Sequence, residues 1–174
     1  VDKETAEPLT DADGNELVKT AKFPSASADG SVDVKITLDG TAMAGRSVVF
    51  FENIYYTDKL IAVHADIDDE AQTVHIPLIF TSVKDKDTDS HMSLAGSDVT
   101  LTDTVAYRNL VPGEKYTVTG TAIDKTTGET LKDDAGKDVT AKASFKAEKA
   151  NGTVDVEFVF DGSTLAGKTV VMYE

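Results

Sequence analysis

Acyl transfer needs an acyl group, a nucleophile and a group to carry the proton. The stretch HADIDDEAQTV, residues 64–74, holds two of these. Gln72 shares parity with Val74 and Ile76, so in a strand its carboxamide points with the apolar side chains. His64 lies just upstream, across an acidic turn, and has the chemistry of a proton shuttle. Glu52 closes the run VVFFE and Glu174 closes VVMYE. A carboxylic acid buried without a cation keeps its proton. Beside a carboxamide, it can hydrogen-bond the oxygen and make the carbon electrophilic. The plainer reading of 64–74 is a solvated acidic turn, and of the two glutamates, strand ends facing water. Without cysteine, the nucleophile has to be Ser, Thr or Lys. The segment DTVAY offers Thr104 in a strand. Val99, Leu101, Val105 and Tyr107 share the opposite parity. An inward Thr104 therefore needs a bulge near Asp103, and Thr102 is the fallback.

These residues must be held by strands. SVDVKITLD and TVDVEFVF alternate cleanly; KYTVTGTAID and DVTAKASFKA alternate less strongly. SVVFFEN and TVVMYE are continuously apolar, as central strands are, and KLIAV and QTVHIP flank the acidic stretch. DADGNE, DDAGKD, ADG, LDG, FDG and VPG mark turns. DADGNE has the start of a calcium loop but no distal Glu, and reads as a β-turn. No segment sustains a helical period. Short, evenly spaced strands predict an all-β sandwich.

The chain also repeats itself. Residues 1–52 align without a gap on 123–174, at an offset of about 122. VDKETAEPLTDADG matches IDKTTGETLKDDAG, and GSVDVKITLDGTAMAG matches GTVDVEFVFDGSTLAG. The chain is therefore a window on a tandem array. We place the boundary at residue 79, with 1–79 the C-terminal part of one module and 80–174 the N-terminal part of the next, lacking its last strand.

Taken together, DTVAYRNLVPGEKYTVTGTAIDKTTGETL, VVFFEN, VVMYE and HADIDDEAQTV resemble the Thr–Gln ester-bond domains. These are the VaFE-type repeats of Gram-positive surface adhesins. The pattern H-x-D-x-x-D-x-x-Q is met by His64, Asp66, Asp69 and Gln72. The resemblance implies tandem Ig-like or CnaB-like β-sandwich modules. In each, an early Thr hydroxyl displaces ammonia from a late Gln to leave an ester. It assigns Thr104 as nucleophile of the second module and Gln72 as acyl donor of the first. Glu52 and Glu174 become the buried acids and His64 the proton-transfer residue. Asp2 and Asp124, identical between the repeats, are the candidates for a second carboxylate. The Gln that would pair with Thr104 falls near position 194, so neither module closes its ester within these residues. The resemblance further implies a cell-wall-anchored stalk whose partners are neighbouring repeats, with no cofactor or metal and no turnover chemistry.

The 174 residues carry a net charge of −14, which argues against nucleic acid and anionic membranes as partners. No apolar run approaches a membrane span. Two other readings remain. One is a sandwich stapled by a Lys–Asn isopeptide bond. The other is a glycan- or host-protein-binding module using Tyr55 and Tyr56. His75 and His91 read as exposed residues without a role.

Overall fold

The computed structural model describes residues 1–174. It consists of strands, turns and two short 3-10 turns, and it divides into two compact units, Val1–Ile76 and Pro77–Glu174.

In the first unit, β1 (Ser47–Val49) pairs antiparallel with β4 (Thr73–His75), Val48 lying opposite Val74. The bridge Asp2–Val48 flanks the other edge of β1. Between β1 and β4 runs a hairpin of β2 (Glu52–Tyr56) and β3 (Lys59–His64). Its two-residue turn, Thr57 and Asp58, has positive φ at both positions (43° and 67°), the geometry that suits the twist of paired strands. A 3-10 turn, Glu70–Gln72, leads into β4. Leu9, Met43 and Val48 form a small core, with Leu17, Phe50 and Ile76 against it.

SVDVKITLD does not form the expected strand. Its repeat mate is β9 (Gly152–Phe160), which pairs with β6 (Val99–Arg108) over its whole length. Within this chain the segment has no ladder to join. Alternation specifies a face, but a strand also needs hydrogen-bonding neighbours.

The second unit contains two three-stranded antiparallel sheets. One has the order β5 (Leu78–Asp85), β6, β9. The other has the order β10 (Val170–Tyr173), β7 (Lys115–Asp124), β8 (Thr140–Lys146). Burial along β6 alternates strictly, with Val99, Leu101, Asp103, Val105 and Tyr107 all buried. Val105, Val156 and Phe158 from one sheet share a core with Ala122, Leu131 and Met172. The strand TVVMY, read as central, is an edge strand paired only with β7. The units divide between Ile76 and Pro77, and Leu78 and Ile79 already pair with Arg108 and Tyr107 of β6.

The repeat is visible in the backbone as well as in the letters. Leu17 N donates to Leu9 O at 2.8 Å and Val139 N to Leu131 O at 2.9 Å. Gly45 and Gly167 share φ = 79°. Asp11 and Asp133 each accept from the amide four residues on, at 2.9 and 2.8 Å, which makes both Asp-led loops turns.

Candidate functional site

In the second unit the site is built on the facing sides of the two sheets. β5 and β6 pair without interruption from Leu78–Arg108 to Asp85–Leu101, placing Thr81 opposite Val105 and Val83 opposite Asp103. All four residues share the inward parity. Thr81 still meets solvent because β5 is an edge strand. From the other sheet, Val170, Met172 and Glu174 alternate inward, and Met172 lies opposite Ala122.

Asp103 is fully buried, and neither of its oxygens has a donor. Oε1 of Glu174 is likewise buried without one. Two carboxylates placed this way would each bear a large penalty. A proton on Glu174, shared with Asp103, supplies the missing hydrogen bond. Burial, then the hydrogen bond and charge of Asp103, push the Glu174 carboxyl up to about 8, while the Thr81 hydroxyl donates to it and opposes the rise. The result is a neutral acid at ordinary pH in hydrogen-bond contact with an alcohol. Gly120 makes room for it, since a Cβ there would lie 2.5 Å from Phe158 Cζ and 3.1 Å from Glu174 Oε1. A cavity of about 220 Å³ adjoins the acid, lined by Ile79, Val105, Tyr107, Val118 and Thr119 among others.

Thr104 lies outside this cluster. It is exposed, opposite Ser82 and Asp155 on the outer face, and its hydroxyl donates to Asp155 Oδ1 at 2.7 Å. No bulge interrupts β6 near Asp103, so Thr102 shares that outward parity. Asp2 and Asp124 are buried turn residues rather than partners of an acid. Burial pushes the Asp2 carboxyl up, but the amides of Thr5 and Glu4 and the Arg46 guanidinium, 2.6 Å away, outweigh it and hold it below its ordinary range. Lys168, at 2.8 Å, and the Thr126 amide do the same for Asp124.

Sequence reasoning missed Thr81 and Asp103, although both carry a signal. Thr81 falls on the parity of Ile79 and Val83. Asp103 is an ionisable residue set in the apolar stripe Val99, Leu101, Val105, Tyr107.

The first unit holds the other candidate residues. Glu52 lies opposite His64 in the hairpin, with Oε2 3.7 Å from Nδ1. Nε2 of His64 lies 3.1 Å from Oδ2 of Asp69. Asp69 also caps the 3-10 turn by accepting from Ala71 N at 2.8 Å. Gln72 ends that turn half-buried, and its carbonyl accepts from Phe50 N at 3.0 Å. It therefore lies across from the residue two before Glu52. Glu52 is exposed, unlike its repeat mate, because no counterpart of β5 and β6 faces it within this chain.

No curated protein matches the chain. The family model described as "T-Q ester bond containing domain" matches residues 2–76 and again residues 77–174. Both units are matched almost end to end, and the chain belongs to the family of T-Q ester bond containing domains.

Proposed function

We propose that each module closes one ester between an early Thr and a late Gln, and that the array serves as a stalk of a cell-surface adhesin. The observation that carries this reading is the carboxyl pair of Asp103 and Glu174, whose buried oxygens lack donors, with Thr81 beside it. Thr81 replaces Thr104 as nucleophile, and Asp103 replaces Asp2 and Asp124 as the second carboxylate. The repeat makes Glu52 and Glu174 one landmark. In that register, the counterparts of Gln72 and His64 in the second module would come beside Thr81 and Asp103.

The chemistry follows from the groups. Oγ of Thr81 attacks Cδ of the Gln, and the protonated Glu bonds the carboxamide oxygen where negative charge develops. The C–N bond breaks and the nitrogen leaves as ammonia, taking up the hydroxyl proton by way of the counterpart of His64 in the same module. Holding both reactants on strands of one sandwich provides the effective molarity that water cannot. The ester then ties an edge strand of one sheet to the last strand of the module, where tension along a stalk enters. In a chain without cysteine it takes the place of a disulfide. An extracellular, wall-anchored location accords with this role. The isopeptide alternative finds no Lys in the acid cluster. Tyr55 and Tyr56, 60% and 70% exposed, favour a binding surface as a second reading for the first unit.

The test is the intact mass of the chain continued past Glu174 by a second copy of its own residues 53–76. A loss of one ammonia is expected, abolished by Thr81→Ala and untouched by Thr104→Ala. A folded protein of unchanged mass, or a loss that survives Thr81→Ala, overturns the reading.

A further inference from the structure

The β1–β4 ladder that follows Gln72 has only three residue pairs, and Gln72 itself joins it only through its backbone carbonyl, at the end of the 3-10 turn. Slipping it by one residue would turn Gln72 to the opposite face. Burial prevents this only in part: on the Gln72 parity, Ile76 packs against the Leu9, Met43 and Val48 core, but Val74 is 51% exposed. A second constraint is needed to define the register.

A chain of polar contacts does so on the other face. Oγ of Ser47 lies 2.8 Å from Nδ1 of His75, its directly opposed residue. Nε2 of His75 lies 3.0 Å from Oε2 of Glu70. Lys3 Nζ donates to Oε1 of the same carboxylate at 2.5 Å and to Oγ1 of Thr73 at 3.4 Å. With Nε2–H donating to Glu70, Nδ1 accepts from the Ser47 hydroxyl, so one tautomer satisfies every bond. The residues come from the turn after Asp2, from β1, from the 3-10 turn and from β4. They bracket Gln72 on both sides in sequence.

We propose that Ser47, His75, Glu70 and Lys3 form a register lock that holds the acyl donor Gln72 on the inner face. They are positioning residues and touch no reacting atom. A slip of one residue would carry His75 away from Ser47 and break the chain at its centre. The socket recurs in the second unit, where Lys125 and Thr169 are the repeat mates of Lys3 and Ser47. Lys3 N donates to Ser47 O, and Lys125 N to Thr169 O, both at 2.9 Å. The proposal rests on the ester reading, since it assigns Gln72 as the group being positioned.

The experiment uses the chain continued by a second copy of residues 53–76, in which the appended Glu70 and His75 meet Lys125 and Thr169. Closure is followed over time by the loss of ammonia, alongside thermal melting. His75→Ala in the appended copy is expected to slow closure on the order of tenfold or more and to leave an unreacted fraction. His75→Gln, which can accept and donate along the same line, recovers most of the rate. Thr169→Val removes only the hydroxyl, so it keeps the fold while slowing closure. In the 174-residue chain, Ser47→Ala speeds hydrogen exchange at the Val74 amide. Closure at the parent rate in both His75→Ala and Thr169→Val overturns the lock. So does slowing that tracks melting temperature alone and is not rescued by His75→Gln. Failure of the parent chain to lose ammonia overturns the ester reading instead.

Discussion

Glu52 and Glu174 occupy the same place in the repeat and stand in opposite surroundings. Glu174 points between two sheets, against Asp103 and Thr81, and its carboxyl is pushed up to about 8. Glu52 sits on a hairpin in solvent beside His64. The local sequences, VVMYE and VVFFE, do not distinguish them. What differs is whether β5 and β6 lie opposite. A proton-holding acid here is a property of the assembled sandwich, since desolvation and a second carboxyl raise the affinity for the proton. The segments GSVDVKITLDG and GTVDVEFVFDG teach the same lesson for a strand: the second forms β9 against β6, while the first stays unpaired.

The comparison can be broken most directly at Asp103. In the chain continued past Glu174, Asp103→Ala removes the carboxyl that holds the proton on Glu174. Closure is expected to slow by on the order of a hundredfold, read from the rate of ammonia loss, whereas removing the exposed Asp155 leaves the rate unchanged. A comparable loss in both would mean that the acid pair has no special place.

A smaller effect is expected in the packing around the acid. Gly120→Ala drives a Cβ into Phe158 and Glu174 and should cost about 1–3 kcal/mol in urea unfolding of the second unit. Val156→Ala, fully buried in β9, should cost about 2 kcal/mol. Its repeat mate Val34, 46% exposed in the unpaired segment, should cost almost nothing when changed to Ala. Equal costs for the two valines would show that 31–39 is structured in solution.

The pH response reports on the buried carboxyl pair. The Glu174 carboxyl lies above its unfolded value of 4.5 in the folded state, so the folded unit binds the extra proton. Its contribution is fully present below about 4.5 and is lost as pH rises through about 8. The melting temperature of the second unit should fall across that interval, and Glu174→Gln should flatten the fall. The smallest effect belongs to Thr104→Ala, which loses one exposed hydrogen bond to Asp155 and about 0.5 kcal/mol at most.

Much of the architecture was legible in the residues. Alternation located β6, β7, β8 and β9, and the self-alignment of 1–52 on 123–174 established tandem modules. The pattern from His64 to Gln72 singled out a stretch whose His64 and Asp69 the fold does bring together. Thr104, in the conspicuous motif DTVAY, lies on the outer face, as its parity against Val99, Leu101, Val105 and Tyr107 already indicated. Thr81 lies in IFTSVKDKD, where an edge strand shades into a polar turn, and only pairing with β6 gives it an inward face.

Two things were therefore decided by the sequence alone. Period-two patterning sets which side chains of a strand share a face, and the repeat sets which segments are equivalent. Both are local properties of the chain. Which carboxyl keeps its proton, which threonine meets it and which alternating segment becomes a strand were decided by tertiary structure. Each depends on what lies across a sheet or between two sheets. Desolvation, hydrogen-bond partners and register are set there by residues distant in the chain.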